Sequence, residues 1–159
     1  MDVQCLHNVF IILHATSAVI SFFAGCFLIL SVRNISIQRW FGLYWWALVG
    51  LVVFLAGAIL IYWAEYSTIE HIIFPALFVL AIYMLYRARS ANRLFRTQQN
   101  NWKHDTIEHI GFTLISLFEG FIIVGGIDVG VPGWLVTVAA ILGVFAGRWV
   151  VGFAQRRVE

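Results

Sequence analysis

The sequence predicts an all-α integral membrane protein, a bundle of about five transmembrane helices in a single domain spanning residues 1–159. Three observations predict it. Hydrophobic residues make up 62% of the 159 positions and charged residues only 11%, with a mean hydropathy of +0.89. A soluble domain of this length still leaves roughly a third of its unfolded surface exposed, so lipid must cover much of this chain. Apolar stretches near the ~20 residues needed to cross a hydrocarbon core recur along the sequence. The basic residues other than Arg148 cluster at alternate connections and in the tail, the pattern of a polytopic chain.

The first span covers about 6–31. Phe23-Ala24-Gly25-Cys26 resembles a lipoprotein cleavage box, but no Lys or Arg precedes Cys26 and the apolar run is too long for a signal core. A retained first helix is expected. Cys5 and Cys26 would then lie about 30 Å apart on it and could not bridge each other. The second span, about 40–64, carries Trp40, Trp45, Trp46 and Trp63 at or near its ends, as an interfacial aromatic belt predicts. Pro75 falls in the third span, about 68–87, and should kink it by freeing the carbonyl of His71. Residues 88–105 read as a polar extension of that helix followed by a loop. The fourth and fifth spans cover about 106–127 and 133–153. Arg148, one to two turns from the end of the fifth, can snorkel to the interface or pair with Glu108.

Arg33 and Arg39, the segment Arg87 to Lys103, and Arg156 and Arg157 all fall on one side of this arrangement, whereas Glu65 and Asp128 fall on the other. The positive-inside rule then places the N-terminus outside and the C-terminus in the cytoplasm of a multi-pass cell-membrane protein. A net charge of +2 is too small to suggest nucleic-acid binding, and the expected surroundings are the lipid bilayer and other membrane subunits or further copies of the chain.

Thr68 to Phe74 recurs as Thr106 to Phe112 with six of seven positions identical. An inverted transporter repeat would produce such an echo on opposite faces. Helix capping explains it more simply: Ser67 with Glu70, and Asp105 with Glu108, each fit a capping box in which the first residue is the N-cap and the glutamate is N3.

Ionisable groups within spans mark functional candidates because hydrocarbon penalises them. His14 should lie about 12 Å into helix 1 and Glu119 about 20 Å into helix 4, at similar depth. Asp105, Glu108, Ser116 and Glu119 share a face of helix 4, and His7, His14, Ser21 and Gly25 share one of helix 1. The two faces are expected to look into the bundle, with His14 and Glu119 as a hydrogen-bonded or proton-accessible pair. His71, near the outer end of helix 3, lies about one turn from the depth of His14. A bis-histidine haem b site using His14 and His71 is therefore a minor alternative, with no cofactor as the main expectation. Small residues give the packing signal: Gly42, Gly50 and Gly57 on helix 2, and Ala139, Gly143 and Gly147 on helix 5.

No Gly-x-Ser-x-Gly, His-Glu-x-x-His or phosphate-loop motif occurs, and the two Glu-His pairs sit at opposite faces, too far apart to share a metal. The segments His14-Ala-Thr-Ser-Ala-Val-Ile-Ser-Phe-Phe-Ala-Gly25 and Gly111-Phe-Thr-Leu-Ile-Ser-Leu-Phe-Glu119-Gly120 are similar to those of small, uncharacterised multispan bacterial membrane proteins. That resemblance implies a bacterial membrane setting and no mechanism. The expected function is a non-catalytic membrane subunit or scaffold within a larger complex. The alternatives are a small proton-coupled transporter or channel using His14 and Glu119, and a redox protein linked to haem b or quinone.

Overall fold

A computed structural model describes residues 3–32, 38–98 and 100–157, and of residues 127 and 128 the backbone alone. Arg33 and the side chain of Asp128 lie outside that description. Five helices follow in order: α1 Val3–Leu30, α2 Gln38–Tyr62, α3 Glu70–Thr97, α4 Trp102–Asp128 and α5 Gly133–Arg156. A short 3-10 turn, Trp63–Glu65, ends α2. At 24 to 28 residues each, they rise about 36–42 Å, more than the ~30 Å hydrocarbon thickness. All five are long and apolar enough to cross a membrane.

The expected spans appear, and local hydrogen bonding sets where their ends fall. At the start of α3 the capping box forms as expected: the Ser67 amide donates to Glu70 Oε2 at 2.7 Å, and the Glu70 amide meets Ser67 Oγ at 3.4 Å. The second proposed box does not form. Helix α4 begins at Trp102, and the Asp105 amide already donates to the Asn101 carbonyl at 3.1 Å. Asp105 is thus inside the first turn, where its charge still suits the helix dipole, and Glu108 lies a further turn in. Asn101 turns the chain at φ 60°, and Trp102 packs edge-on against Phe95 at 5.4 Å. These features start α4 before the polar segment ends. Within 88–105 the helical extension of α3 runs to Thr97 and closes with Gln98 at φ 46°, its amide on the Leu94 carbonyl, so the loop that follows is shorter than expected because α4 already begins at Trp102. Gly130, at φ +73°, ends α4 in a turn sealed by the Val131 amide on the Gly126 carbonyl at 2.9 Å. A left-handed residue is what such a closing turn requires.

Consecutive helices run antiparallel. Gly50 of α2 faces Ser17 of α1 while Gly57 faces Phe10. Phe41 of α2 meets Phe95 of α3, and Tyr66, just before α3, meets Phe74. On α4 and α5, Gly111 faces Val151 and Gly126 faces Val136. Contacts of α1 with α2, α2 with α3, α3 with α4, and α4 with α1 close four helices into a ring, and α5 packs on α4 from outside.

The ring is filled unevenly. In the half that carries the basic residues, Leu28, Phe41, Tyr44, Ala91 and Ile110 are almost wholly buried and close-packed. Arg87 ties α3 to α4 there, with its guanidinium 5.0 Å over the Phe112 ring, donating to the Glu108 carbonyl at 3.3 Å and 3.9 Å from the Glu108 carboxylate. Arg87 is therefore the partner of Glu108, and of the two roles offered for Arg148 the pairing with Glu108 is not formed; Arg148 is exposed. The other half of the ring leaves a partly open space.

Candidate functional site

That space is a cavity of about 300 Å³ between α1, α2, α3 and α4, at the lower end of the range of ligand sites. Its wall is almost entirely apolar. Leu51, Leu55, Phe74, Met84 and Leu117 stand in it, and among the described residues His14 and Ser116 are the lining side chains with strong hydrogen-bonding groups. On the α4 wall Gly120 and Gly125 take the place of larger residues, and a Cβ at either would meet nothing within 4 Å.

His14 is held in place by α2. Its Nδ1 lies 3.0 Å from the Leu51 carbonyl, and His7, seven residues earlier, places Nδ1 3.3 Å from the Ala58 carbonyl, seven residues later. The antiparallel pairing matches two heptad steps, so α1 and α2 are bolted at two levels. A carbonyl oxygen can only accept, so Nδ1 carries the proton in each contact, and in the neutral imidazole Nε2 is then an acceptor.

The face inferred for helix 4 divides. Ser116 lines the cavity, but Glu119, three residues on and turned by about 60°, directs Oε1 against Gly143 of α5. His14 and Glu119 are therefore not brought together. Both carboxyl oxygens of Glu119 are shielded and find no hydrogen-bond partner among the described residues.

His71 does not line the cavity either. It belongs to an aromatic cluster at the N-terminal end of the bundle, with Nδ1 2.9 Å from the Ser67 carbonyl and its ring edge-on to Trp63 at 4.7 Å. His7 stacks on Tyr62 at 4.3 Å, and Tyr66 joins His7, Tyr62, His71 and Phe74. Burial, with Glu70 and Tyr62 close by, raises the Tyr66 hydroxyl above the usual tyrosine range. Phe74 also forms part of the cavity wall, so this cluster closes that end of the space. Among the described residues no group of three His, Cys, Asp or Glu side chains could hold a metal ion.

The glycine signal holds at some positions and fails at others. Gly50 admits Ser17, Gly57 admits Phe10, and Gly143 and Gly147 admit Glu119 and Ile115. Gly42 meets nothing within 4 Å and Ala139 is exposed, so among the described residues neither packs closely against another helix of this chain. Gly111 and Gly126 of α4, which receive Val151 and Val136 of α5, were not legible as packing positions because their fifteen-residue separation breaks the four-residue period. A second concavity of about 290 Å³ lies between the basic ends of α3 and α4, with Ser90, Arg93, Asp105, Glu108 and His109 in its wall.

No protein-family model, curated protein or solved structure matches this chain. The functional reading rests on its own geometry.

Proposed function

We propose that this protein binds an apolar small molecule within the membrane, in the cavity ringed by α1 to α4. The single observation behind this reading is the hollow in an otherwise close-packed ring, kept open by Gly120 and Gly125 and nearly free of polar groups. In lipid, helices gain nothing from excluding water and associate through van der Waals contact, so an unfilled interior forfeits contacts that a guest restores. On the positive-inside rule the basic end faces the cytoplasm and the cavity lies in the outer half of a cell membrane.

The decisive variant is Gly120→Leu. Gly120 lines the cavity and no protein atom stands within 4 Å of the new Cβ, so the larger side chain is introduced without a clash at its root. Protein purified from native membranes should release an apolar compound on solvent extraction and mass spectrometry. Gly120→Leu should release at most about a tenth as much, as expected where a ligand is excluded sterically at a cost of ~1.4 kcal/mol or more, with its unfolding midpoint unchanged. Equal release from both would refute the assignment.

A second reading, a non-catalytic subunit within a larger assembly, is favoured by Glu119. A shielded carboxyl without a hydrogen-bond donor among the described residues is costly in hydrocarbon, and a donor from a neighbouring subunit at the α4–α5 seam would relieve it. On this reading Glu119→Leu lowers the mass of the gently solubilised complex in light scattering while the five-helix fold persists. An unchanged mass excludes it.

A further inference from the structure

Apolar walls select a ligand's body, and the two polar groups among them select its head. The Leu51 carbonyl is an acceptor alone, so its 3.0 Å contact with His14 fixes the ring proton on Nδ1 and makes the remaining nitrogen of the neutral ring an acceptor. Among the described residues no carboxyl group lines the cavity. The Ser116 hydroxyl, on the neighbouring α4 wall, can donate or accept. A carbonyl, ether or ester head could use Ser116 but would face the His14 acceptor with another acceptor. A hydroxyl satisfies both, donating to His14 and accepting from Ser116.

We propose that the cavity selects a hydroxyl-headed apolar molecule, an alcohol on a hydrocarbon body, with His14 Nε2 accepting the hydroxyl proton and Ser116 donating to its oxygen. This rests on the reading of the cavity as a binding site and adds the identity of the head. His14 thereby has two roles at once: its Nδ1–H holds α1 to α2, and that same bond sets the tautomer that reads the ligand. The discrimination follows from unmatched polar groups: a site built to bond a hydroxyl rejects the analogue that lacks the proton, because its own acceptor is then left unpaired.

The test uses the full-length protein in nanodiscs and two photoreactive probes, a diazirine-bearing dodecan-1-ol and its methyl ether, with crosslinking read by mass spectrometry at the cavity residues Met84 and Leu117. In the wild type the alcohol should label these positions roughly five- to tenfold more than the ether, the ratio expected for one hydrogen bond. In His14→Phe the alcohol should fall to the level of the ether, with ether labelling unchanged. Gly120→Leu should lose both. Equal labelling of the wild type by alcohol and ether would overturn the assignment of the head while leaving the cavity as a site. Labelling by both probes at the level of Gly120→Leu would remove the site itself, and this inference with it. The comparison of probes on the wild type needs no variant, so it stands even where His14→Phe fails to fold.

Discussion

Tyr44→Ala is expected to destabilise the bundle by about 3–5 kcal/mol, the range for removing a large aromatic ring from a close-packed interior. Tyr44 has no exposed surface. It stands where α1, α2 and α4 meet, with its ring 3.2 Å from the position a Cβ on Gly25 would take. In a membrane this cost comes from lost dispersion contacts, because water exclusion does not drive helix association there. The hydroxyl contributes little. It faces Thr113, whose own hydroxyl donates to the His109 carbonyl at 3.2 Å, and the Tyr44 oxygen makes no well-formed hydrogen bond. Tyr44→Phe should therefore stay within about 1 kcal/mol of the wild type. Unfolding in mixed detergent micelles, followed by circular dichroism, measures both. A mild Tyr44→Ala, or a Tyr44→Phe as damaging as Tyr44→Ala, would contradict this account of the solid half of the ring.

Gly111→Leu is the substitution expected to loosen α5, by about 2–3 kcal/mol, toward the upper part of the range for overpacking. A Cβ at Gly111 would overlap the side chain of Val151, which is itself buried. Valine is short and branched at Cβ, so it has no flexible end to move aside and the helix must shift instead. Gly152→Leu makes the same chemical change one turn from the tail of α5, at a position where nothing lies within 4 Å, and should be close to neutral. Hydrogen exchange in nanodiscs separates the outcomes: protection should fall in α5 and the facing stretch of α4 for Gly111→Leu alone. Equal exchange in the two variants would mean that the glycine seam does not hold α5.

Much of the fold was legible in the chain. Twenty or so apolar residues between polar connections dictate a spanning helix whatever surrounds them, because the backbone must satisfy its own hydrogen bonds in lipid. The Ser67 and Glu70 box was legible for a similar reason, since all its atoms lie within four residues. Asp105 and Glu108 show the limit of that reasoning. The same pattern was available, but Asn101 and the packing of Trp102 on Phe95 start the helix one turn sooner, and those contacts depend on where α3 ends.

The candidate site was legible only in part. Sequence alone determined that His14, Ser116, His71 and Glu119 are polar groups on spanning helices, and that glycine stripes permit close approach, since these follow from residue type and helical period. Only the tertiary structure decided what each one meets. A single helix has several faces, and about 60° of rotation separates Ser116, in the cavity, from Glu119, against Gly143 of α5. His14 bonds to a backbone carbonyl of α2 and not to a carboxyl group, and any residue type at position 51 supplies that carbonyl, so no side-chain pattern announces it. Gly120 carries the same ambiguity in its plainest form: the absence of a side chain reads identically whether a neighbouring helix fills the space or, as here, nothing in the chain does. The period of a helix fixes which residues share a face, and the packing of the other helices fixes what that face sees.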